Sequence, residues 1–170
     1  NEDVALAMPK VLFLNGSVQC LAKLLPTPVD LFCRFFMPAK LIVRRNNKFE
    51  LRHSGYDREM NVPFLSGCFM FLRVSALKSE GIFDERFFMY MEDVDLTRRL
   101  HAKHKTLFYP SVSIYHRFSR LSYHKWKLSL AHMASVVKYF NKWGWIYDSS
   151  RRRFNKTLLK ELKQQTKNED

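Results

Sequence analysis

The chain has 170 residues, of which 46% are hydrophobic and 15% are aromatic. That length suits one domain with a hydrophobic core, and the apolar share excludes an intrinsically disordered chain. The three cysteines, Cys20, Cys33 and Cys68, are odd in number and far apart. They fit neither a disulfide framework nor a zinc site, so a reducing cytosol is the simpler compartment.

The positive charge is large and unevenly distributed. The net charge is +13, and the part from Arg117 to the end holds 13 Lys/Arg against 4 Asp/Glu. Such a surplus favours an anionic partner, whether nucleic acid, phospholipid headgroups or a ligand with a pyrophosphate; the alternative is a solvated basic face without a partner. No stretch approaches the roughly 18 uncharged apolar residues of a membrane-spanning helix. Asn1-Glu2-Asp3 leads into a strand pattern and not into a signal peptide, so we expect the chain to begin inside a fold.

The first half of the chain alternates apolar runs with turn signals. Residues 4–13 predict a buried strand that is interrupted at Pro9 and followed by a turn at Asn15-Gly16. Residues 27–37 predict a short helix after two prolines. The polar and basic stretch 44–62 has little periodicity, which predicts a surface loop.

The middle of the chain predicts a strand and two helices. Residues 67–74 are apolar on both faces, as in a strand inside a covered sheet. Residues 75–80 predict a short helix that ends at Gly81. Residues 92–103 predict a second helix, with acids in its first turn and bases near its end, where each complements the helix dipole.

The remaining residues predict two short strands and two helices. The strands cover 105–109 and 112–116 and are separated by Pro110-Ser111. A long helix covers 122–143, and a last polar helix covers about 154–167, after the basic run 151–153. The long helix carries one continuous apolar stripe with steps of four, three, four and three residues: Trp126, Leu130, Met133, Val137 and Phe140.

Several separated motifs between residues 66 and 122 agree with one known family. They are Ser66-Gly67-Cys68-Phe69-Met70-Phe71-Leu72-Arg73, Gly81, Phe83-Asp84-Glu85-Arg86-Phe87-Phe88, Tyr90-Met91-Glu92-Asp93-Val94-Asp95-Leu96, Arg99-Leu100, Tyr109-Pro110 and His116. In this order and at these spacings they resemble the second half of bacterial family 2 glycosyltransferases of the rhamnosyltransferase type. The opening segment 8–17 is similar to the strand and turn that follow the nucleotide-binding half of that family.

The resemblance implies a fold and a division of the chain. The expected fold is α/β: a partial GT-A (nucleotide-diphospho-sugar transferase) mixed sheet flanked by helices, with a C-terminal helical extension. Residues 1–121 would form the acceptor-side half of the GT-A domain, and 122–170 a basic amphipathic helical tail. Because half of the sheet would be missing, we expect an exposed strand edge, and with it either pairing with another copy in a homo-oligomer or marginal stability.

The acidic cluster is the candidate catalytic centre. An inverting glycosyl transfer needs a carboxylate that takes the proton of the acceptor hydroxyl. The resemblance makes Asp93 that base and Glu92 the neighbour that shapes the site, while Asp95 is expected to cap the helix. The alternative is that all three acids only complement the helix N-terminus.

Other candidate residues concern the donor and a metal. The resemblance implies that His116 helps to coordinate a divalent metal, Mg or Mn, on the donor pyrophosphate, although a lone histidine at a strand end is more often structural. Arg117, Arg120 and Ser122 follow on a loop where cations and a hydroxyl could meet pyrophosphate oxygens.

Two further points concern the loop before the predicted strand and the upstream donor site. Ser66-Gly67 would permit close approach of a sugar to the backbone, or would form only a tight turn. The family's Asp-x-Asp metal element and first strands have no counterpart after residue 4, so we expect a fragment that is inactive alone. Ile82 stands where the family commonly has a second glycine, which concerns the local loop shape only.

The tail allows two interpretations. Its apolar stripe could dock on the catalytic domain. Alternatively, the tryptophans and nearby lysines could rest on an anionic membrane surface; these residues are Trp126, Trp143, Trp145, Lys125, Lys127, Lys138 and Lys142.

The leading hypothesis is therefore an inverting glycosyltransferase. It would move a sugar, with rhamnose favoured by the resemblance, from a nucleotide-sugar to a polysaccharide or lipid-linked acceptor in O-antigen or other lipopolysaccharide synthesis. It would act in the cytoplasm, peripherally at the inner face of the membrane. The alternatives are a basic module that binds nucleic acid or a membrane surface without catalysis, and a domain that kept the fold and lost activity. No nucleic-acid-binding motif is recognisable, so we expect no nucleic-acid partner.

Overall fold

The computed structural model describes residues 2–32, 38–117 and 126–167. Its strands are β1 (Val4–Leu12), β2 (Ala22–Lys23), β3 (Met60–Asn61), β4 (Phe64–Leu65), β5 (Phe71–Leu72) and β6 (Lys105–Tyr115). Its helices are α1 (Pro28–Phe32), α2 (Ala39–Phe49), α3 (Val74–Glu80), α4 (Glu92–His101), α5 (Trp126–Trp143) and α6 (Ser149–Lys167), with a 3-10 turn at Arg52–Ser54.

The fold is α/β, with a mixed sheet flanked by helices and a C-terminal helical part, which confirms the predicted fold class. The main sheet has the order β3-β6-β1-β5, and β2 pairs with β4 in a second, two-stranded sheet. β1 runs parallel to β6 and antiparallel to β5. This arrangement is consistent with part of a GT-A-type fold.

The central strand pair explains the interruption at Pro9. Pro9 lies opposite Tyr109, whereas Lys10 lies opposite Ser113. Three residues of β6 are therefore skipped in the ladder at this point, beside a proline that cannot donate a backbone hydrogen bond. The two strands predicted for 105–116 are consequently one strand with an irregularity.

Two sequence predictions in the first half are wrong. Within 67–74 only Phe71–Leu72 form a strand, and Phe71 is 74% exposed because β5 is the edge of the sheet. The stretch 44–62 is not a surface loop, since it contains the end of α2, the 3-10 turn and β3. It also contributes four buried apolar residues to the core: Leu51, Tyr56, Met60 and Val62. Apolar residues at irregular spacing anchor this segment, and no periodic pattern reveals them.

The predicted helices are confirmed where the structure describes them. α3 ends at Gly81, whose φ of 81° is the left-handed conformation that glycine adopts without strain. α4 has Glu92, Asp93 and Asp95 in its first turn and basic residues in its last. Residues 33–37 of the first helical run and 122–125 of the long helix lie outside the described residues.

The buried face of α5 differs from the predicted stripe. Of the stripe, only Phe140 is buried, while Trp126, Leu130, Met133 and Val137 are between 37% and 69% exposed. The helix packs instead through the side that carries Val136 and Tyr139. On this side the buried Tyr139 hydroxyl has a polar partner, because it accepts a hydrogen bond of 3.2 Å from Arg98 Nη1.

The last helix is part of the main core. Leu158 and Leu162 pack with residues of β1, β6 and α4. The Asn155 amide exchanges two hydrogen bonds of 2.9 Å with the backbone of Leu25. The basic run 151–153 lies inside α6 and not before it, and its first residue, Arg151, is buried. No helix in the described ranges is long and apolar enough to cross a bilayer.

Candidate active site

The Asp93 carboxylate is held by backbone donors at the start of α4. Its Oδ2 accepts a hydrogen bond of 2.8 Å from the Gly67 N–H, and its Oδ1 accepts one of 2.8 Å from the Val94 N–H. A Cβ atom added to Gly67 would lie 3.3 Å from Asp93 Cβ and 3.4 Å from its Oδ2. The absence of a side chain at Gly67 thus lets the Asp93 carboxylate reach the backbone N–H of this residue.

The environment raises the pKa of Asp93 to about 6, chiefly because the carboxyl is removed from water. The negative charge of Glu92 acts in the same direction. The N–H groups of Gly67 and Val94 and the charge of Lys23 act in the opposite direction. A carboxylate with a pKa near neutrality is suited to general-base catalysis, since it is largely ionised at pH 7 and still basic enough to take a proton.

Glu92 has a buried oxygen that no protein group satisfies. Its Oε2 has no hydrogen-bond partner among the described residues. Buried polar atoms in proteins are almost always paired, so an unpaired carboxylate oxygen beside Asp93 marks this end of α4 as unusual. The two adjacent acids therefore differ, because Asp93 is fully held by the protein and Glu92 is not.

Asp95 is not a helix cap, contrary to the prediction. The residue is fully buried, and its carboxylate is held by three side chains. Arg99 Nε lies 2.9 Å from Oδ2, while Trp143 Nε1 and Lys142 Nζ each lie 2.7 Å from Oδ1. The carboxylate faces the core and α5 because paired cations there offset the cost of its burial.

Two residues near Asp93 were missed by the sequence reasoning. Lys23, at the end of β2, lowers the pKa of Asp93 by its charge. The thiol of Cys68 has a raised pKa, first because of burial and also because of the charge of Asp93. The sequence offered a signal for Lys23, which is a lysine inside the apolar run 21–25. It offered no signal for Cys68, a single cysteine after Gly67.

His116 lies at the end of β6 and is fixed by Gln19. The backbone N–H of His116 donates to the Leu12 carbonyl at 2.9 Å. Its Nδ1 lies 3.2 Å from Gln19 Oε1, while Gln19 Nε2 donates to the His116 carbonyl at 2.6 Å. Gln19 is only 3% exposed, so both ends of its amide are committed to this contact.

The described residues do not form a metal centre by themselves. No group of three His, Cys, Asp or Glu side chains with metal-binding geometry occurs within 2–32, 38–117 and 126–167. His116 and Arg117 line a recess of about 280 Å³ together with Phe13, Leu14 and Asn15. Arg120 and Ser122, the other expected pyrophosphate-binding residues, lie outside the described residues.

One short segment connects His116 to the Asp93 site. Gln19 holds His116, and two residues later the Leu21 carbonyl accepts a hydrogen bond of 3.2 Å from the Ser66 N–H. Two extended residues span at most about 7 Å. The structure therefore places the backbone at Ser66-Gly67 and the anchor of His116 in neighbouring parts of the molecule.

Part of the chain is similar to curated proteins. Two relatives, from Mycobacterium tuberculosis strains CDC 1551 / Oshkosh and ATCC 25618 / H37Rv, are both named N-acetylglucosaminyl-diphospho-decaprenol L-rhamnosyltransferase. Each is 48% identical over 59 residues, which is 34% of this chain and 19% of the relative, so the chain matches less than a fifth of the relatives' length. No family model and no solved structure matches. The likeness shows a glycosyltransferase-like relationship.

Proposed function

We propose that this chain belongs to an inverting glycosyltransferase of family 2 in which Asp93 is the catalytic base. The observation that carries the proposal is the Asp93 carboxylate, fixed at 2.8 Å on the Gly67 N–H with a pKa of about 6. The partial likeness to a rhamnosyltransferase supports the reaction class. It also favours rhamnose as the sugar.

The reaction balances with one carboxylate acting on the acceptor. Asp93 takes the proton of an acceptor hydroxyl while that oxygen forms a bond to the anomeric carbon of the donor sugar. The bond between the anomeric carbon and the diphosphate oxygen breaks, and the nucleoside diphosphate leaves with the bonding electrons. Attack from the face opposite the leaving group inverts the configuration. Burial is the main cause of the raised pKa of Asp93, and the negative charge of Glu92 adds to it.

The donor and acceptor are proposed by chemical class. The donor is a nucleotide-sugar, and the acceptor is a saccharide on a lipid diphosphate, as in the relative's name. The product belongs to a cell-surface polysaccharide such as the O-antigen of lipopolysaccharide, made at the inner face of the cytoplasmic membrane. We assign His116 as one ligand of a divalent metal, Mg or Mn, whose other ligands are not among the described residues; when bound, the metal would neutralise the leaving diphosphate. Arg117, with Arg120 and Ser122, would contact the same diphosphate.

The test compares variants in the full reading frame that encodes this chain. Asp93→Asn keeps the shape and the hydrogen bond to Gly67 but removes the base, so the transfer rate should fall by about 10² to 10⁴. Donor affinity should stay unchanged. Glu92→Gln should lose less, and His116→Ala should raise the metal or donor concentration required. Asp57→Asn, at an exposed carboxylate, is the matched control. A folded Asp93→Asn enzyme with near wild-type transfer would sink the assignment.

A further inference from the structure

Helix α5 presents an apolar face to solvent. Trp126, Leu130, Met133 and Val137 are 69%, 59%, 37% and 39% exposed. Steps of four, three and four residues place them on one side of the helix, in a row about 16 Å long. We call these four residues the exposed stripe.

The exposed stripe does not reflect a loosely attached helix. The other side of α5 is fully packed, since Ser135, Val136, Tyr139 and Phe140 are at most 1% exposed. Lys142 and Trp143 at its end both contact Asp95. The helix is therefore fixed on the body of the protein while its second apolar face is left without a partner among the described residues.

A second group of exposed apolar residues follows the C-terminal end of α5. Ile146 and Tyr147 are 85% and 76% exposed, and the guanidinium of Arg152 lies 5.2 Å from the centre of the Tyr147 ring. Trp145, 37% exposed, donates to Asn141 Oδ1 at 2.8 Å, and Asn141 lies one turn beyond Val137 on α5. The apolar surface thus continues from the exposed stripe into the loop 145–147.

Charge indicates which partner covers this surface. Residues 117–147 contain no Asp or Glu and six basic residues: Arg117, Arg120, Lys125, Lys127, Lys138 and Lys142. Lys127 lies beside the stripe, with its Nζ 5.8 Å from the Trp126 ring. Lys142 is paired with Asp84 and Asp95, whereas Lys138 donates to a neutral backbone carbonyl and keeps its charge, so Lys127 and Lys138 leave positive charge on the described part of α5.

The positive charge beside the exposed stripe disfavours a second copy of the chain as the partner that covers it. A symmetric dimer through the exposed stripe would bring the same bases of both copies together, with no acid in 117–147 to balance them. A nucleic acid would use the charge but would leave leucine, methionine and valine without an apolar partner. An amphipathic helix with a basic flank and a Trp/Leu face is instead typical of helices that lie in the headgroup region of a bilayer.

We propose that the exposed stripe, with Ile146 and Tyr147, lies flat on an anionic phospholipid bilayer, with α5 parallel to the surface. Leu130, Met133 and Val137 insert below the headgroups. Trp126 and Tyr147 occupy the interface, where an aromatic ring with a polar atom is favoured. Trp143, which the membrane interpretation of the tail had included, takes no part because its indole N–H donates to Asp95.

This orientation has a consequence that rests on the proposed function. The loop before Asp93 packs on the inner side of α5, where the Tyr90 ring packs at a tilt against the His132 ring with ring centres 4.6 Å apart and Phe87 contacts Tyr139. The catalytic helix therefore lies behind α5, about one helix diameter, roughly 10 Å, from the bilayer. In the proposed enzyme, the sugar on a lipid diphosphate would therefore have to stand above the headgroups to reach Asp93.

The test is flotation of the full chain with vesicles of phosphatidylcholine, with and without phosphatidylglycerol. The wild type should bind the anionic vesicles and lose binding as salt rises. Leu130→Ser should weaken binding at least tenfold, the factor expected when the burial of one leucine side chain is lost. Lys127→Gln should weaken it roughly fivefold. The matched control is Ile82→Ser, which removes a similarly exposed side chain, 67% against 59%, outside α5.

Several outcomes would overturn the proposal. One is a wild type that does not float with anionic vesicles. Another is a Leu130→Ser variant that floats as well as Ile82→Ser. A third is a dimer in sedimentation that Leu130→Ser dissociates, which would assign the face to a second copy. If Leu130→Ser fails to fold by circular dichroism, Trp126→Ser at the first turn replaces it. Asp93→Asn should bind vesicles like the wild type. A failure of the membrane proposal can therefore be distinguished from a failure of the catalytic proposal.

Discussion

Trp143 donates its indole N–H to Oδ1 of Asp95 at 2.7 Å, and this bond joins the last turn of α5 to the first turn of α4. Asp95 follows Asp93 by two residues, so the C-terminal helical part is fixed directly to the helix that carries the proposed base. Around this bond Leu25, Phe87, Met91, Val94 and Val136 form a separate apolar cluster with Tyr139 and Phe140. The residues before and after Asp93 therefore depend on α5 for their packing.

Trp143→Phe should measure what this bond contributes. The variant keeps an aromatic ring under Arg98, whose guanidinium carbon lies 4.0 Å from the Trp143 ring centre, but removes one donor to a buried carboxylate. The free energy of unfolding in urea should fall by about 1 to 3 kcal/mol. The control is Trp145→Phe, which removes an indole N–H that serves the exposed Asn141 and should cost about 0.5 kcal/mol or less. Equal losses in the two variants would contradict a special role for Asp95.

A buried ion pair makes a second connection between α4 and the C-terminal helices. Arg98 Nη2 lies 2.6 Å from Asp148 Oδ1, and both side chains are 2% exposed. Asp148 Oδ1 also accepts the Arg151 N–H at 2.9 Å at the start of α6. Asp148→Ala leaves the guanidinium without its anion, so unfolding free energy should fall by about 3 to 5 kcal/mol.

The comparison for this prediction is an ion pair on the surface. Asp57→Ala breaks the pair with Arg58, in which the aspartate side chain is 62% exposed, and should cost about 1 kcal/mol or less. Thermal or urea unfolding of the two variants under one buffer gives the difference. A small effect at Asp148 would mean that water replaces the carboxylate and that the two helices are joined mainly by apolar contacts.

Local signals predicted the elements whose ends are marked in the sequence. Gly81 ends α3, and the distribution of acids and bases sets the direction of α4. The side of α5 that is buried could not be predicted, because it depends on Arg98 and Phe87 of other elements. Residues 67–74 likewise have the apolar pattern of a buried strand. A strand is buried inside a sheet only when other strands flank it on both sides, and the local sequence does not show whether they do.

The candidate site was predicted in its residues but not in its contacts. Asp93 and Glu92 stand in one contiguous motif, so their types and order were visible. The bond from Gly67 to Asp93 joins residues 26 positions apart, and Asp95 finds Trp143 across 48 positions. Spacing along the chain does not predict contacts between residues so far apart in sequence. For this reason the sequence did not reveal the effect of Lys23 on Asp93, and it predicted a capping role for Asp95.

Gly67→Ala should show whether the close approach to Asp93 matters. The new Cβ would stand 3.3 Å from Asp93 Cβ, which belongs to the helix and has little room to move. The Gly67 N–H bond to Oδ2 should lengthen; since this bond lowers the pKa of Asp93, the pKa should rise above about 6. Side-chain NMR titration measures it. Ser66→Ala, which adds no atom, should leave the pKa unchanged, and an unshifted pKa in Gly67→Ala would refute the argument.

The raised pKa of Asp93 also predicts how stability depends on pH. The folded pKa of about 6 exceeds the ordinary value of 3.8. Between these values the folded protein retains a proton that the unfolded chain has lost, so its stability falls as the pH rises through this range. Above pH 6 the ionised carboxylate should therefore destabilise the fold by at most about 3 kcal/mol, since one pKa unit corresponds to about 1.36 kcal/mol.

Asp93→Asn should remove that destabilisation while keeping an oxygen for the Gly67 N–H. Urea unfolding at about pH 7.5 should show the variant to be more stable than the wild type, and the difference should shrink to nearly zero by about pH 3, where Asp93 is protonated in both the folded and the unfolded state. Asp57→Asn, at an exposed carboxylate, should show no such trend. In the proposed enzyme the transfer rate of the wild type should rise tenfold per pH unit below about 6, because only the ionised carboxylate takes the acceptor proton. A variant less stable than the wild type at pH 7.5 would mean that Asp93 stabilises the helix as its N-terminal charge, which is the behaviour expected of an acid that serves structure alone.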